Sequence, residues 1–300
     1  MGIPNLLMLA TMASFRAIRS QYASLLKQFI TSSKEFEVLA TVPSDHAAPP
    51  KVLYVLDSSF NPPTCAHLRI ASSALLEQLE PGSRLLLLLA TQNADKPSKP
   101  APFEDRLAMM ELFAHDVRSY LAARHSDPAS SVKEVPTIDI AVTKKPYFID
   151  KAAAIDASDH YPSPLEQVHL TGYDTLIRIF NPKYYPPEHT LQPLSALFSQ
   201  HRLRVTLRPG GEWGEREEQE GFLARLARGD QEAEGGRKEW AQRIQLIEGR
   251  KPEDPPVSST RAREAAQSAP QDLEWLVPDH VRQFVLSERP YSGETTSSNM

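Results

Sequence analysis

Cysteine is almost absent from this chain of 300 residues: Cys65 stands alone. A single thiol rules out an intramolecular disulfide and fits a reducing compartment. A basic excess is missing too. The formal net charge of −5 at pH 7 argues against a general nucleic-acid binder, while leaving room for a mononucleotide in one local basic pocket. No apolar run reaches the length of a membrane span. No internal repeat is visible, and His115, His160 and His201 show no metal-ligand spacing. Nucleic acid and membrane are therefore not expected as partners, and oligomeric state is not readable. What remains, with 41% apolar and 24% charged residues, is the composition of a globular protein with a sizeable core.

Acidic residues are lacking from the first 34 positions, which carry Arg16, Arg19, Lys27 and Lys34. Phe15, Ile18, Tyr22, Leu25, Leu26 and Phe29 recur there at helical spacing. Two readings stand. A basic, acid-poor amphipathic helix is the pattern of a mitochondrial transit peptide. A surface helix whose apolar stripe docks on the core gives the same pattern, and the length of the stripe favours it. The expected location is cytoplasmic, nuclear or both, with mitochondria as the alternative. Residues 1–50 read as an N-terminal helix and extension, 51–290 as the main domain, and 291–300 as a disordered tail.

Within the main domain, apolar runs at 51–56, 84–90, 135–142, 167–171, 203–207 and 244–247 predict strands. The run Arg84-Leu-Leu-Leu-Leu-Leu-Ala90 suits a strand buried on both faces of a parallel sheet. Helical patterns fall at 68–79, 103–123, 148–158, 260–267 and 278–288. Residues 212–239 read as a charged, exposed helical insertion. Strands alternating with helices imply an α/β fold: a mostly parallel sheet with helices on both faces. Ligands bind such sheets beyond the carboxyl ends of the strands. The chemically interesting residues fall there: Ser58 to His67, Lys96 and Lys99, Gly172 and Asp174, Arg208, and Ser258 to Arg263.

Two segments carry chemistry. In Ser58-Ser-Phe-Asn-Pro-Pro-Thr-Cys-Ala-His67, Pro62 and Pro63 stiffen a turn and Thr64 suits an N-cap. His67 then sits in the first helical turn, beside N–H groups with no intrahelical partner and the positive end of the helix dipole. An imidazole there faces an anion, although a plain cap with an incidental histidine has the same spacing. In Val257-Ser-Ser-Thr-Arg-Ala-Arg263, Ser258, Ser259 or Thr260 can cap the next helix. The hydroxyls and arginines there would grip a polyphosphate, since guanidinium matches phosphate oxygens. Cys65, near a helix start, reads as an activated thiol or, preferably, a small buried one.

Together these strings resemble a known family. Ser58 to Arg69 is similar to the signature G-S-F-N-P-x-T-x-x-H-L-R of nicotinamide and nicotinic acid mononucleotide adenylyltransferases. Val257 to Arg263 resembles their I-S-S-T-x-x-R, Gly172 to Leu176 their G-x-D-x-L, and Leu276 to Val281 part of their last helix. The matches keep their order over residues 52–286 and look most like a divergent fungal branch. The resemblance implies a Rossmann-like nucleotidyltransferase fold. It implies transfer of AMP from ATP, with Mg²⁺, to a pyridine mononucleotide, giving NAD or its acid form and pyrophosphate. The alternative is a divergent nucleotide-binding or protein-interaction module on that fold. Carried over, His67 and Arg263 are the catalytic pair on the ATP phosphates, with Thr64 where relatives often have a first histidine. Ser58, Ser59 and Phe60 lie in the signature loop, the two serines at the mononucleotide phosphate. Lys96 approaches the triphosphate. Gly172 and Asp174 hold the ribose and adenine side, with Arg208 on the next loop. Ser258 lies in the string whose Ser259 and Thr260 take the terminal phosphates with Arg263. Two departures stand out. Ser58 replaces a glycine, and the family's pyridine-stacking tryptophan has no clear counterpart near residues 143–150, where Tyr147 and Phe148 stand.

Overall fold

In a computed structural model of the chain, the described residues are 6–44, 48–77, 82–92, 101–125, 135–208, 210, 213–249 and 254–292. The chain opens with helix α1 (Leu6–Thr31) and strand β1 (Phe36–Val42), then β2 (Val52–Asp57), α2 (Cys65–Leu76), β3 (Ser83–Ala90) and α3 (Phe103–His125). β4 (Ile138–Thr143), α4 (Phe148–Asp156), β5 (Glu166–Gly172), α5 (Tyr173–Ile179) and α6 (Leu194–Gln200) follow. β6 (Arg202–Thr206), α7 (Arg216–Arg228), β7 (Ile244–Ile247), α8 (Ser259–Ser268), α9 (Leu273–Leu276) and α10 (Asp279–Glu288) complete it.

Among the described residues the seven strands form one sheet in the order β1-β4-β3-β2-β5-β6-β7. Only β1 runs antiparallel to its neighbour; the other pairs are parallel. The unbroken leucines of β3 now have a reason. Leu85, Leu87 and Leu89 enter one core cluster, while Leu86 and Leu88 enter another on the opposite face. Helices cover both faces, as the continuous apolar pattern requires. α1, α2, α3, α8, α9 and α10 lie against one face, α4 and the α5–α7 group against the other.

The chain leaves β2 toward β3 and β4 on one side, then returns to place β5 on the other side of β2. That reversal makes the β2/β5 seam the switch point of the sheet, where the loops after neighbouring strands diverge and leave a crevice. Ser58 and Gly172 stand at its lip.

Several elements depart from the sequence reading. β1 was unexpected; all but its end residues are half-buried, so no alternation marks it. α5, α6 and α9 likewise lie outside the predicted helices. The charged insertion is not a free-standing arm: Phe222, Leu226 and Trp240 are buried in the core with Phe180 and Phe198. α1 docks through Phe15, Tyr22, Leu26 and Phe29, all buried, and Arg19 pairs with Asp105 at 2.7 Å. Near the end, Tyr291 is buried and its carbonyl accepts from Gln267 Nε2 at 3.0 Å, so residue 291 belongs to the core and not to a tail. Residues 293–300 lie outside the described residues.

Candidate functional site

The site begins where β2 ends. Ser58 N–H donates to Leu88 O at 3.2 Å, which extends the β2–β3 pairing one residue past the strand. The chain then turns through Phe60, whose φ of +45° is in the left-handed region. A bulky residue rarely adopts that conformation; here full burial of the Phe60 ring fixes it. Thr64 caps α2 with extended backbone.

His67 closes this turn on itself. Thr64 N–H donates to His67 Nδ1 at 3.0 Å, and Thr64 Oγ1 lies 2.8 Å from the same nitrogen. Its Nε2 is 2.9 Å from Ser58 Oγ. Because a backbone amide can only donate, Nδ1 is the acceptor, and the ring proton of the neutral imidazole resides on Nε2. The ring packs against Phe60 and Phe113, with centroids 5.5 Å and 6.5 Å away. Burial pushes its pKa down to about 4. His67 is therefore a neutral hydrogen-bond donor at pH 7, not a cation and not a poised base.

Phe60 and Thr64 need correction as ligand contacts. Both side chains are wholly buried. Phe60 forms the floor beneath His67, and Thr64 spends its hydroxyl on Nδ1. Ser59 stays exposed at the loop surface, and its carbonyl accepts from Arg106 Nη1 at 3.2 Å. Cys65 is no nucleophile: burial, followed by the carboxylates of Asp116 and Asp279, raises its thiol to about 11.

The second motif lands on the first. Ser258 caps α8 by accepting from Arg261 N–H at 3.2 Å. Ser259 Oγ donates to Pro62 O at 2.8 Å, and Arg263 Nη1 donates to Asn61 O at 2.9 Å. Arg263 Nη2 also reaches Thr260 Oγ1 at 3.3 Å. The start of α8 is thus bolted to the turn that carries His67, across a sequence separation of 197 to 202 residues. Arg261 turns away, over the Trp275 ring.

Gly172 closes β5 and caps α5. A Cβ there would stand 2.6 Å from Asp174 Oδ1, so glycine lets the Asp174 carboxylate fold back over the strand end. β2 and β5 pair in register from Val52/Glu166 to Val55/His169; continued by three residues, this brings Ser58 level with Gly172. Asp174 faces Arg208 Nη1 at 3.5 Å. The main chain of Arg208 is held by the buried Gln219 of α7, which accepts from its N–H and donates to its C=O, both at 2.8 Å. Lys96 lies outside the described residues.

Sequence reasoning missed two groups. Lys151 of α4 pairs with Asp57 at 2.5 Å, immediately before Ser58. Arg106, buried in the first turn of α3, holds the Ser59 carbonyl and stacks on Phe103 at 4.4 Å. Neither has a local signal, because each reaches the signature segment from a helix remote in sequence. Phe148 packs on the buried His169 at 4.8 Å.

Comparison with known proteins agrees with this fold. Residues 55–196 match the cytidylyltransferase-like family. A Schizosaccharomyces pombe protein named "Putative nicotinamide mononucleotide adenylyltransferase" is 31% identical over 272 residues, covering 90% of this chain and 97% of the relative. A solved structure of Plasmodium falciparum nicotinic acid mononucleotide adenylyltransferase, complexed with NaAD, superposes with a TM-score of 0.52. It covers 81% of this chain and 98% of that one at 12% identity, a likeness of fold.

Proposed function

The chain belongs to the nicotinamide mononucleotide adenylyltransferase family of nucleotidyltransferases, and from that premise we propose that it joins ATP to a pyridine mononucleotide, releasing pyrophosphate. One observation carries the reading: α8 is bolted through Ser259 and Arg263 onto the turn that holds His67. Hydroxyls, a guanidinium and a neutral imidazole thereby gather at one lip of the switch-point crevice.

The chemistry suits those groups. A phosphate oxygen of the mononucleotide attacks the α-phosphorus of ATP, a new P–O bond forms, and the bond to the β-phosphate breaks. The attacking phosphate has a second pKa near ~6 and is mostly dianionic at neutral pH. No proton need leave it, so no general base is required. His67, with Nδ1 already occupied and its pKa near 4, is unsuited to be one. Positioning and stabilisation of charge on the transferring phosphoryl group supply the catalysis. Among the described residues no group of three or more His, Cys, Asp or Glu could hold a metal. In this reading Mg²⁺ enters with its substrate, as MgATP, coordinated by the phosphates.

We place Gly172, Asp174 and Arg208 on the nucleoside side and Ser58 and Ser59 on the phosphate side of the crevice. The decisive assay incubates purified protein with ATP, Mg²⁺ and each pyridine mononucleotide in turn. Formation of NAD or its acid analogue supports the proposal. ATP binding by calorimetry without either product would establish a nucleotide-binding module instead.

A further inference from the structure

Ser58 occupies the one hydrogen-bonding proton that His67 has to offer. Nδ1 accepts from the Thr64 amide, so the neutral ring donates only from Nε2, and Ser58 Oγ is 2.9 Å from that nitrogen. A serine hydroxyl that accepts one hydrogen bond still has its own hydrogen to give. Ser58 is half-buried and stands one residue past the end of β2, the parallel neighbour of the strand that Gly172 closes, so that hydrogen can turn toward the crevice between them. Its backbone is fixed independently by the bond to Leu88 O.

From this geometry we infer that Ser58 is the donor that meets the ligand phosphate, and that His67 acts through it. The relay runs from Thr64 N–H to Nδ1, from Nε2–H to Ser58 Oγ, and from Ser58 O–H to a phosphate oxygen. Each bond polarises the next, so the terminal hydroxyl is a stronger donor than an isolated serine. No proton changes owner along the chain, in keeping with a reaction that needs none removed. The family signature has glycine at this position, which carries no hydroxyl. In this chain the hydroxyl is interposed.

The inference rests on the adenylyltransferase reading only for its turnover arm. The test is a double-mutant cycle of Ser58→Ala and His67→Ala, read both as dinucleotide formation and as MgATP affinity by calorimetry. Ser58→Ala is expected to lose about tenfold, the scale of one neutral hydrogen bond. In the Ser58→Ala background, His67→Ala should cost far less than in the native chain. A relay also predicts that the His67 Nε2–H proton resonance moves in Ser58→Ala with no nucleotide present. Losses that multiply in both readouts overturn the relay, as does an Nε2–H signal indifferent to Ser58. Ser58→Gly turning over faster than the native chain would show the hydroxyl to be an obstruction and likewise sink it. If no mononucleotide reacts, the affinity cycle and the resonance still decide the matter, so failure of the relay and failure of the proposed activity remain separable.

Discussion

At the scale of single residues, the site depends on which nitrogen of His67 keeps its proton. Burial lowers the imidazole pKa from its usual 6.5 to about 4. The sign of the linkage follows: a depressed folded-state pKa favours the neutral form in the fold. Its contribution to stability is complete above pH 6.5 and is lost as pH falls toward 4. An NMR titration should find His67 neutral throughout pH 5–8, and the native chain should lose stability between pH 6.5 and 4 more steeply than His67→Asn. An imidazole titrating near 6.5 would refute this assignment. The residues that sequence reasoning identified here are those with local signals. Thr64 and Ser258 sit at helix starts, where free amides demand a cap. Ser259 opens α8 and Arg263 stands one turn further along it. What stayed hidden were tertiary bonds: Ser58 to His67 across the turn and, between remote segments, Arg106 to Ser59 and Lys151 to Asp57. No spacing rule encodes them.

Among elements, the central strands were legible because continuous apolar runs can only be buried on both faces. β1 was not, since an edge strand half-covered on each side shows neither a run nor an alternation. α1 was legible as a helix but ambiguous in purpose. Its Tyr22 and Phe29 are wholly buried against the core, so removing it would uncover apolar surface on α3 and α10. Phe29→Ala should therefore cost about 3–5 kcal/mol of unfolding free energy by urea titration; a loss below about 1 kcal/mol would leave α1 free to act as a detachable leader. α7 poses the opposite case. Its charge pattern suggested an exposed arm, yet Gln219 inside it holds both the N–H and the C=O of Arg208. Gln219→Leu leaves those backbone groups unpaired and should destabilise the chain by about 1–3 kcal/mol. It should also weaken MgATP binding, because Arg208 is no longer presented to Asp174. Stability loss with unchanged nucleotide affinity would confine α7 to a packing role.

For the whole molecule, the sheet order explains how strings far apart in the chain come to the same end of the sheet. The reversal between β2 and β5 sets the signature turn beside Gly172, and the chain then runs through β6 and β7 before α8 returns over the Asn61–Pro62 turn. Order along the sequence revealed the strings; their meeting required the crossover, which no local pattern states. A ligand bridging these strings must stabilise both halves of the chain together. A non-hydrolysable ATP analogue with Mg²⁺ at a hundred times its dissociation constant adds about 2.7 kcal/mol to the native state. For a chain of this size that corresponds to a rise of roughly 4 °C in Tm. The Ser259→Ala, Arg263→Ala double variant unbolts α8 from the turn and removes the guanidinium from the polyphosphate. At the same analogue concentration it should keep a single unfolding transition while most of the ligand-induced rise disappears. An undiminished rise would mean that nucleotide binds without α8, and that the convergence of the two motifs is a matter of folding alone.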